Sequence, residues 1–298
     1  MAVSSSVPVL VIINPVSGPR RRGTADERVR HARETLGKLG VACEIRLTER
    51  PLHAYELARD AVQVGIDLVI AWGGDGTINE VGRALAYSSV ALGIVPGGSG
   101  NGLSRELKIP FDPPSALERA IRSRERTIDA GELEGRMFFN IAGIGLDAHV
   151  AHRVATRVHH RGLLPYLMST AKDLLQFTPS EYSVETDVGT FKGTALMIAI
   201  ANSKQYGFSA RIAPEAHYDD GLLDLVIVQD RTLAGNLMRV PTVFLGGFHK
   251  RPGVRVLKIR QARIQSTTPM LLHVDGEPLQ ARTEAVTRVH QGALRIRA

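Results

Sequence analysis

Leu68-Val69-Ile70-Ala71-Trp72-Gly73-Gly74-Asp75-Gly76-Thr77, residues 68–77, is the stretch that decides the predicted fold. Its first five residues are a continuous apolar run, which predicts a buried strand. The glycines allow a tight turn and the close approach of a ligand, and residues 77–86 have the pattern of a helix. A helix that starts directly after such a loop presents unpaired N–H groups, which favour phosphate. Asp75 repels phosphate unless it binds a metal ion or a substrate hydroxyl.

The same pattern of strand, loop and helix surrounds this stretch. Further strands are predicted at 9–13, 42–47 and 91–95, and further helices at 24–39 and around 57–62. Strands separated by helices of this length pair in parallel, which predicts a Rossmann-like α/β domain. Two more glycine-containing loops, 14–18 and 96–102, follow the first and last of these strands. Because ligands bind beyond the carboxyl ends of such strands, the three loops predict a nucleotide site. The P-loop motif is absent, which excludes a P-loop enzyme.

The pattern changes after about residue 127. Mostly β-like segments with turn signals follow, and they predict an antiparallel β-sandwich as a second domain. These segments are 138–142, 182–186, 194–201, 222–228, 254–259, 262–266 and 271–274. Helices are predicted at about 149–158, 163–175 and 233–244.

Composition narrows the class of protein. The 298 residues include 37 Lys and Arg against 30 Asp and Glu, a net charge of +7 that attracts phosphate groups. With 8 Phe, 6 Tyr and 1 Trp, the chain shows no aromatic-rich strand of the kind that stacks single-stranded nucleic acid. The single cysteine excludes an intrachain disulfide and a multi-cysteine metal site. No signal peptide or membrane-spanning run is visible.

Two acidic clusters in the second domain have two interpretations each. Asp275-Gly276-Glu277 follows an apolar strand, where a carboxylate can accept a proton from an attacking hydroxyl. The same tripeptide is also typical of a hairpin turn. Asp219-Asp220-Gly221 is either a turn or part of an oxygen-ligand metal site.

Four motifs occur in a fixed order along the chain. They are Asn-Pro-x-Ser-Gly (14–18), Gly-Gly-Asp-Gly-Thr-x-Asn-Glu-Val (73–81), Pro-Gly-Gly-Ser-Gly-Asn (96–101) and Asp-Gly-Glu (275–277). This combination resembles the diacylglycerol kinase catalytic-domain family, which includes bacterial soluble lipid kinases and the sphingosine and ceramide kinases. The resemblance covers nearly the whole chain. It implies a nucleotide-binding α/β domain at 1–127 and a β-sandwich lipid domain at 128–282, with residues 283–298 returning to the first domain.

The resemblance also implies an activity and residues for it. The activity is Mg²⁺-dependent transfer of the γ-phosphoryl group of ATP to a lipid hydroxyl. The family's proposed general base falls on Glu277, with Asp275 beside it and Asp75 as a competing candidate. A lipid-headgroup contact falls on Asp147. A structural magnesium site falls on the backbone oxygens of His217 and Leu222 and on the side chain of Asp220. The ATP contacts, with the neighbouring loop glycines Gly73 and Gly98 added, are Asn14, Pro15, Val16, Ser17, Gly18, Thr48, Gly73, Gly74, Asp75, Gly76, Thr77, Ile78, Asn79, Glu80, Gly98 and Ser99.

The sequence leaves the acceptor of the phosphoryl group open. The loop from Gly98 to Gly102 departs from the Gly-Thr-x-Asn-Asp of many bacterial diacylglycerol kinases and is closer to the sphingosine and ceramide kinases, so the acceptor lipid is not identified. The alternatives are an NAD kinase-like enzyme that phosphorylates a soluble nucleotide, and a non-catalytic nucleotide- or lipid-binding protein. The basic charge, without a membrane-spanning run, predicts peripheral association with anionic membranes. The single cysteine favours the cytoplasm, and the lack of an aromatic-rich strand predicts that nucleic acid is not a partner. Edge strands of the second domain offer a route to a homodimer.

Overall fold

The computed structural model describes residues 9–18, 23–156, 177–206 and 210–298, with the side chains of 154–156 left out. The chain divides into two compact units, residues 1–128 with 292–298 and residues 129–291. The segment that returns to the first unit is shorter than predicted, because residues 282–288 pair with a strand of the second unit. The predicted helix at 163–175 lies outside the described residues. Among the described residues, no helix has the length and apolar character needed to cross a membrane.

The first unit is a parallel sheet with helices packed on it. Its strands are β1 (Val9–Ile13), β2 (Cys43–Leu47), β3 (Leu68–Gly73) and β4 (Ala91–Pro96), in the order β4-β3-β1-β2. Its helices are α1 (Ala25–Lys38), α2 (His53–Gln63), α3 (Asp75–Leu85), α4 (Gly102–Glu106) and α5 (Pro113–Arg122). The strands β1, β3 and β4 are buried along their whole length, as their continuous apolar runs predict. The predicted parallel α/β fold is confirmed.

The second unit is an antiparallel β domain. The strand β5 (Glu125–Leu133) leads into it from the first unit. The other strands are β6 (Arg136–Phe138), β7 (Ile141–Gly145), β8 (Ser180–Thr186), β9 (Gly189–Ala201), β10 (Leu223–Gln229), β11 (Val254–Ile259), β12 (Gln261–Val274) and β13 (Glu277–Arg297). They pair in the order β11-β10-β9-β7-β12-β13, with β8 on β9 and β12. The helices are α6 (Leu146–Thr156), α7 (Leu233–Leu245) and a 3₁₀ turn at Phe248–Lys250. The predicted antiparallel β-sandwich domain is confirmed.

Two strand predictions in this unit are wrong in detail. The segment 138–142 is broken between β6 and β7, because the N–H groups of Phe139, Asn140 and Ile141 donate to the carboxylate of Asp275 at 3.0, 3.0 and 3.1 Å. The segments 262–266 and 271–274 belong to the single strand β12, which is irregular in its pairing between Gln265 and Met270.

Candidate functional site

Three loops lie side by side at the carboxyl edge of the first unit's sheet. The backbone N–H of Asn14 donates to Trp72 O at 2.9 Å, and that of Gly97 donates to Gly73 O at 2.6 Å. The Asn14 side chain reaches across to the hydroxyl of Thr77 at 2.9 Å. Loops 14–18, 73–77 and 96–102 therefore form one continuous polar edge, as the sequence predicts.

Glycine is required at two positions in these loops. A Cβ atom on Gly98 would lie 2.5 Å from the Cα of Gly74, and one on Gly73 would lie 2.5 Å from the side chain of Thr77. These separations are too short for any side chain larger than hydrogen. Gly98 thus allows the backbones of loops 73–77 and 96–102 to pack directly on each other, and Gly73 leaves room for the side chain of Thr77.

Asp75 fastens loop 96–102 to the start of α3. Its two carboxylate oxygens accept the backbone N–H groups of Asn101 at 2.8 Å and Gly102 at 2.7 Å. Burial raises the pKa of Asp75 above its ordinary value, and the N–H groups of Gly102 and Asn101 oppose that shift. Asp75 therefore holds loop 96–102 in place through both carboxylate oxygens.

Arg28, on α1, is a residue of this edge that the sequence analysis missed. Its side chain is buried, and its guanidinium donates to Asn14 O at 2.8 Å, to Ser17 Oγ at 2.9 Å and to Ser17 O at 2.8 Å. One arginine thus fixes the course of loop 14–18. Since Arg28 is 14 residues from Asn14 and inside a helix, only its buried position on α1 reveals this role.

The other residues predicted to contact a nucleotide differ from one another in burial and in their hydrogen bonds. The side chain of Ile78 is buried in the core, and Val16 is 76% exposed. Glu80 accepts the N–H groups of Leu52 and Ala54 at 3.1 and 3.2 Å, so it caps the start of α2. Thr48 follows β2, and its N–H donates to Ile13 O beside loop 14–18.

In the second unit, Asp275-Gly276 is the two-residue turn between β12 and β13. Val274 pairs with Glu277, and both turn residues have positive φ, 47° and 85°, as in a type I′ turn. The carboxylate of Asp275 accepts three backbone N–H groups, so it holds the chain between β6 and β7 against this turn. Glu277 accepts a hydrogen bond on Oε2 from Arg136 at 2.9 Å. Within the described residues, Oε1 of Glu277 has no hydrogen-bond partner.

Asp147, at the start of α6, is the centre of a buried polar cluster. Its Oδ2 accepts from the hydroxyl of Tyr206 at 2.7 Å and lies 3.3 Å from Nε2 of His273. Because the N–H of Gly276 donates to Nδ1 of His273 at 3.3 Å, the ring proton of neutral His273 is on Nε2 and is donated to Asp147. A Cβ atom on Gly143 would lie 1.7 Å from Asp147 Oδ2, so only glycine leaves room for the cluster.

This cluster opens into an apolar cavity of the second unit. Asp147 and Tyr206 lie in its wall, and the remainder is mainly aliphatic and aromatic. The described lining residues include Val150, Leu196, Ile212, Val240, Val243 and Phe248. An apolar cavity with a few fixed polar groups is typical of a site for an amphiphilic small molecule.

The one side chain predicted to bind magnesium, that of Asp220, already has a cation as its partner. Oδ1 of Asp220 accepts the N–H of Leu222 at 3.1 Å, and Oδ2 accepts the ammonium of Lys258 at 2.7 Å. Lys258 Nζ also lies 3.7 Å from the carboxylate of buried Asp224. A second cation next to this ammonium is electrostatically unfavourable. In the part of the chain that the structure describes, no group of three or more His, Cys, Asp and Glu side chains is arranged to hold a metal.

Replacing Lys258 with methionine tests this conclusion. Burial raises the pKa of Asp224 and Lys258 opposes that shift, so Lys258→Met, which leaves this carboxylate without its cation, should lower the free energy of unfolding by about 1–3 kcal/mol. Millimolar Mg²⁺ should restore part of that loss in the variant, while EDTA leaves the melting temperature of the wild type unchanged. Lys192→Met, at an exposed position of β9, is the matched control. A wild-type melting temperature that falls with EDTA contradicts the assignment.

Comparison with known proteins agrees with this architecture. The diacylglycerol kinase catalytic domain family matches residues 8–133, and the YegS C-terminal NAD kinase beta sandwich-like domain matches residues 140–298. Two solved structures from Bacillus anthracis str. Sterne share the fold. One has a TM-score of 0.82 at 22% identity and covers 98% of this chain and 97% of that one. The other, described as a diacylglycerol kinase, has a TM-score of 0.74 at 19% identity, covering 98% and 96%.

Curated relatives match over most of the chain. A diacylglycerol kinase of Bacillus subtilis (strain 168) is 30% identical over 272 residues, which are 90% of this chain and 88% of that protein. A diacylglycerol kinase of Staphylococcus epidermidis (strain ATCC 35984) is 31% identical over 273 residues, 90% of this chain and 84% of that protein. The chain belongs to the diacylglycerol kinase catalytic domain family.

Proposed function

We propose that the protein is an ATP- and Mg²⁺-dependent lipid kinase that phosphorylates a lipid hydroxyl. The observation that carries this proposal is the apolar cavity of the second unit with the carboxylate of Asp147 in its wall. A soluble nucleotide acceptor, as in an NAD kinase, has no need of such a cavity. The names of the curated relatives support the same reaction class. We also propose that the protein works in the cytoplasm at the surface of anionic membranes.

The first unit is suited to bind the phosphates of ATP. The helix α3 begins at Asp75 with no side-chain cap, so its first N–H groups and the positive end of its dipole point into the edge formed by the three loops. The Asn14–Thr77 hydrogen bond and Arg28 hold loop 14–18 beside it. When bound, ATP supplies the phosphoryl group and Mg²⁺ neutralises phosphate charge. The residues of the chain contribute positioning.

The second unit is suited to bind the acceptor lipid. The cavity offers apolar walls to the hydrocarbon part, and Asp147 accepts a hydrogen bond from a headgroup hydroxyl. The donors on Asp147, which are Tyr206, His273 and the N–H of Ala148, fix the carboxylate in one orientation. Glu277 has one oxygen, Oε2, held by Arg136, and Oε1 has no hydrogen-bond partner within the described residues, so Glu277 is the carboxylate we assign as the proton acceptor.

The test is transfer of radiolabelled γ-phosphate from ATP to a panel of lipids in mixed micelles, with NAD in a parallel reaction. The panel contains diacylglycerol, a sphingoid base, ceramide and phosphatidylglycerol. Label in one lipid supports the proposal and identifies the acceptor. Label in NAD alone contradicts it. An Asp147→Asn variant should lose transfer to the labelled lipid by raising KM for that lipid, with KM for ATP unchanged.

Arg28→Met should weaken ATP binding about tenfold, because loop 14–18 loses three hydrogen bonds from a buried guanidinium. Arg28→Lys keeps the charge but cannot bridge the same three acceptors, so it should rescue little. Isothermal titration with ATP measures the effect, and Arg30→Met, an exposed position of the same helix, is the control. Wild-type affinity in Arg28→Met would remove Arg28 from the site.

A further inference from the structure

The outward surface of α7 carries only nonpolar residues. The exposed positions of this helix are Leu233, Ala234, Leu237, Met238, Pro241 and Leu245. Met238 is 76% exposed and Leu245 is 85% exposed. At 100° per residue these six positions lie within an arc of about 140°, so they form one stripe, which we call the outer stripe. A surface helix of a soluble domain normally presents charged and polar residues on this side.

The opposite side of α7 is firmly attached to the second unit. Arg239 is buried and donates to Gln229 O at 2.8 Å and to Pro252 O at 2.6 Å. Asn236 donates to the carboxylate of Asp230 at 2.9 Å. Val240 and Val243 line the apolar cavity. The helix is therefore held in place by its inner side, and the outer stripe stays exposed because nothing in the described residues covers it.

The chain segments that flank α7 are mainly basic. Residues 230–251 contain four Lys and Arg and a single acidic residue, Asp230, and Asp230 is engaged by Asn236. One acidic residue from elsewhere in the unit, Glu215, lies 4.0 Å from His249. Arg231 precedes the helix, Lys250 and Arg251 follow it, and all three are exposed. An apolar stripe bordered by cations at both ends is complementary to a bilayer with anionic headgroups, where apolar side chains enter the acyl boundary and each nearby cation adds attraction.

We propose that the outer stripe of α7 is the surface through which the protein contacts anionic lipid bilayers. Leu237, Met238 and Leu245 enter the boundary between headgroups and acyl chains, while Lys250 and Arg251 pair with lipid phosphates. Because α7 also forms a wall of the cavity, this contact brings the cavity next to the lipid phase. The inference rests on the proposed function in one respect only, that the ligand of the cavity is a lipid.

The first test measures binding without ATP. Wild type and Leu237→Gln/Met238→Gln/Leu245→Gln are sedimented with vesicles of phosphatidylcholine and phosphatidylglycerol, and with phosphatidylcholine alone. The triple variant should bind the anionic vesicles at least tenfold more weakly, with the melting temperature preserved. Val188→Gln, an exposed apolar position elsewhere in the same unit, should bind as the wild type does. Equal binding by the triple variant and the wild type overturns the proposal.

A second variant gives a positive signal that does not depend on loss of binding. Met238→Trp adds a tryptophan at the centre of the outer stripe, and the native Trp72 is buried in β3. Anionic vesicles should shift the emission of this variant to shorter wavelength, and brominated lipids should quench it. Absence of quenching in vesicle-bound protein overturns the proposal.

The same measurements separate this inference from the proposed function. Vesicle binding through α7 by a protein that phosphorylates no lipid leaves the inference standing and removes the proposed function. Lipid phosphorylation by the wild type, together with unchanged vesicle binding by the triple variant, removes this inference and leaves the proposed function standing. If the wild type is a dimer, and the triple variant is a monomer with unchanged vesicle binding, the outer stripe is an interface between two copies and the membrane assignment is wrong.

Discussion

Glu277→Gln is expected to lower kcat of lipid phosphorylation by about 10²- to 10⁴-fold, the usual contribution of a general base. The amide keeps the size of the side chain but cannot take the proton of the attacking hydroxyl. KM for ATP should change little, because Glu277 belongs to the second unit and the proposed phosphate site belongs to the first. Steady-state kinetics with the lipid identified by the radiolabel assay separates these two constants.

Arg136 supplies the companion experiment. Its guanidinium lies 2.9 Å from Oε2 of Glu277 and holds that side chain in one orientation. We therefore expect Arg136→Met to lower kcat by about tenfold, since a base displaced from its position loses efficiency. Arg282→Met, which removes a more exposed arginine paired with Glu134, is the control. If Glu277→Gln turns over at the wild-type rate, the base is a different group.

Asp275→Ala is expected to produce the largest loss of stability, about 3 kcal/mol in the free energy of unfolding of the second unit. Three backbone N–H groups lose their acceptor, and each such loss costs on the order of 1 kcal/mol or more. Alanine is also unfavourable at a φ of 47°. For a unit of this size the melting temperature should fall by roughly 6–12 °C.

Asp275→Asn separates the stability that comes from the hydrogen bonds of the carboxylate from the stability that comes from the turn conformation. Asparagine tolerates positive φ as well as any residue except glycine, and its single oxygen can keep the hydrogen bonds from Asn140 and Ile141. The free energy of unfolding should therefore fall less in Asp275→Asn than in Asp275→Ala. Asp219→Asn, an exposed position, should be neutral. Calorimetry measures the effect, and the fluorescence of Trp72 follows the first unit separately. Equal stability of Asp275→Ala and wild type would show that the three bonds contribute nothing.

The parts of the fold that depend on local pattern were predictable. Continuous apolar runs at β1, β3 and β4 indicated buried parallel strands, and the glycine-rich loops after them indicated a shared edge. Both features depend only on neighbouring residues and on the rule that parallel strands end at one side of a sheet. The assignment to a two-domain family followed from four short motifs in order.

The features that depend on distant residues were not predictable. Asp275 is 135 residues from Asn140 in sequence, so its strand-breaking contact has no local signal. The contacts of Lys258 with Asp220 and of Arg136 with Glu277 also join residues that are distant in sequence, so they too have no local signal. In each case a charged side chain looks like an ordinary surface residue until the tertiary structure supplies its partner. The family resemblance therefore implied a metal site at Asp220, and nothing in the sequence indicated that the ammonium of Lys258 lies 2.7 Å from that carboxylate.

The long strand β13 has a consequence for how the protein is made. It starts at Glu277 in the second unit, and its end pairs in parallel with β4 of the first unit, through Ile296 and Leu92. The ribosome thus synthesises the whole second unit before β4 receives this neighbour. Until then β4 has an open edge that invites pairing with other chains. A gene fragment that stops at residue 128 keeps this edge open permanently, so the two units are poor candidates for separate expression.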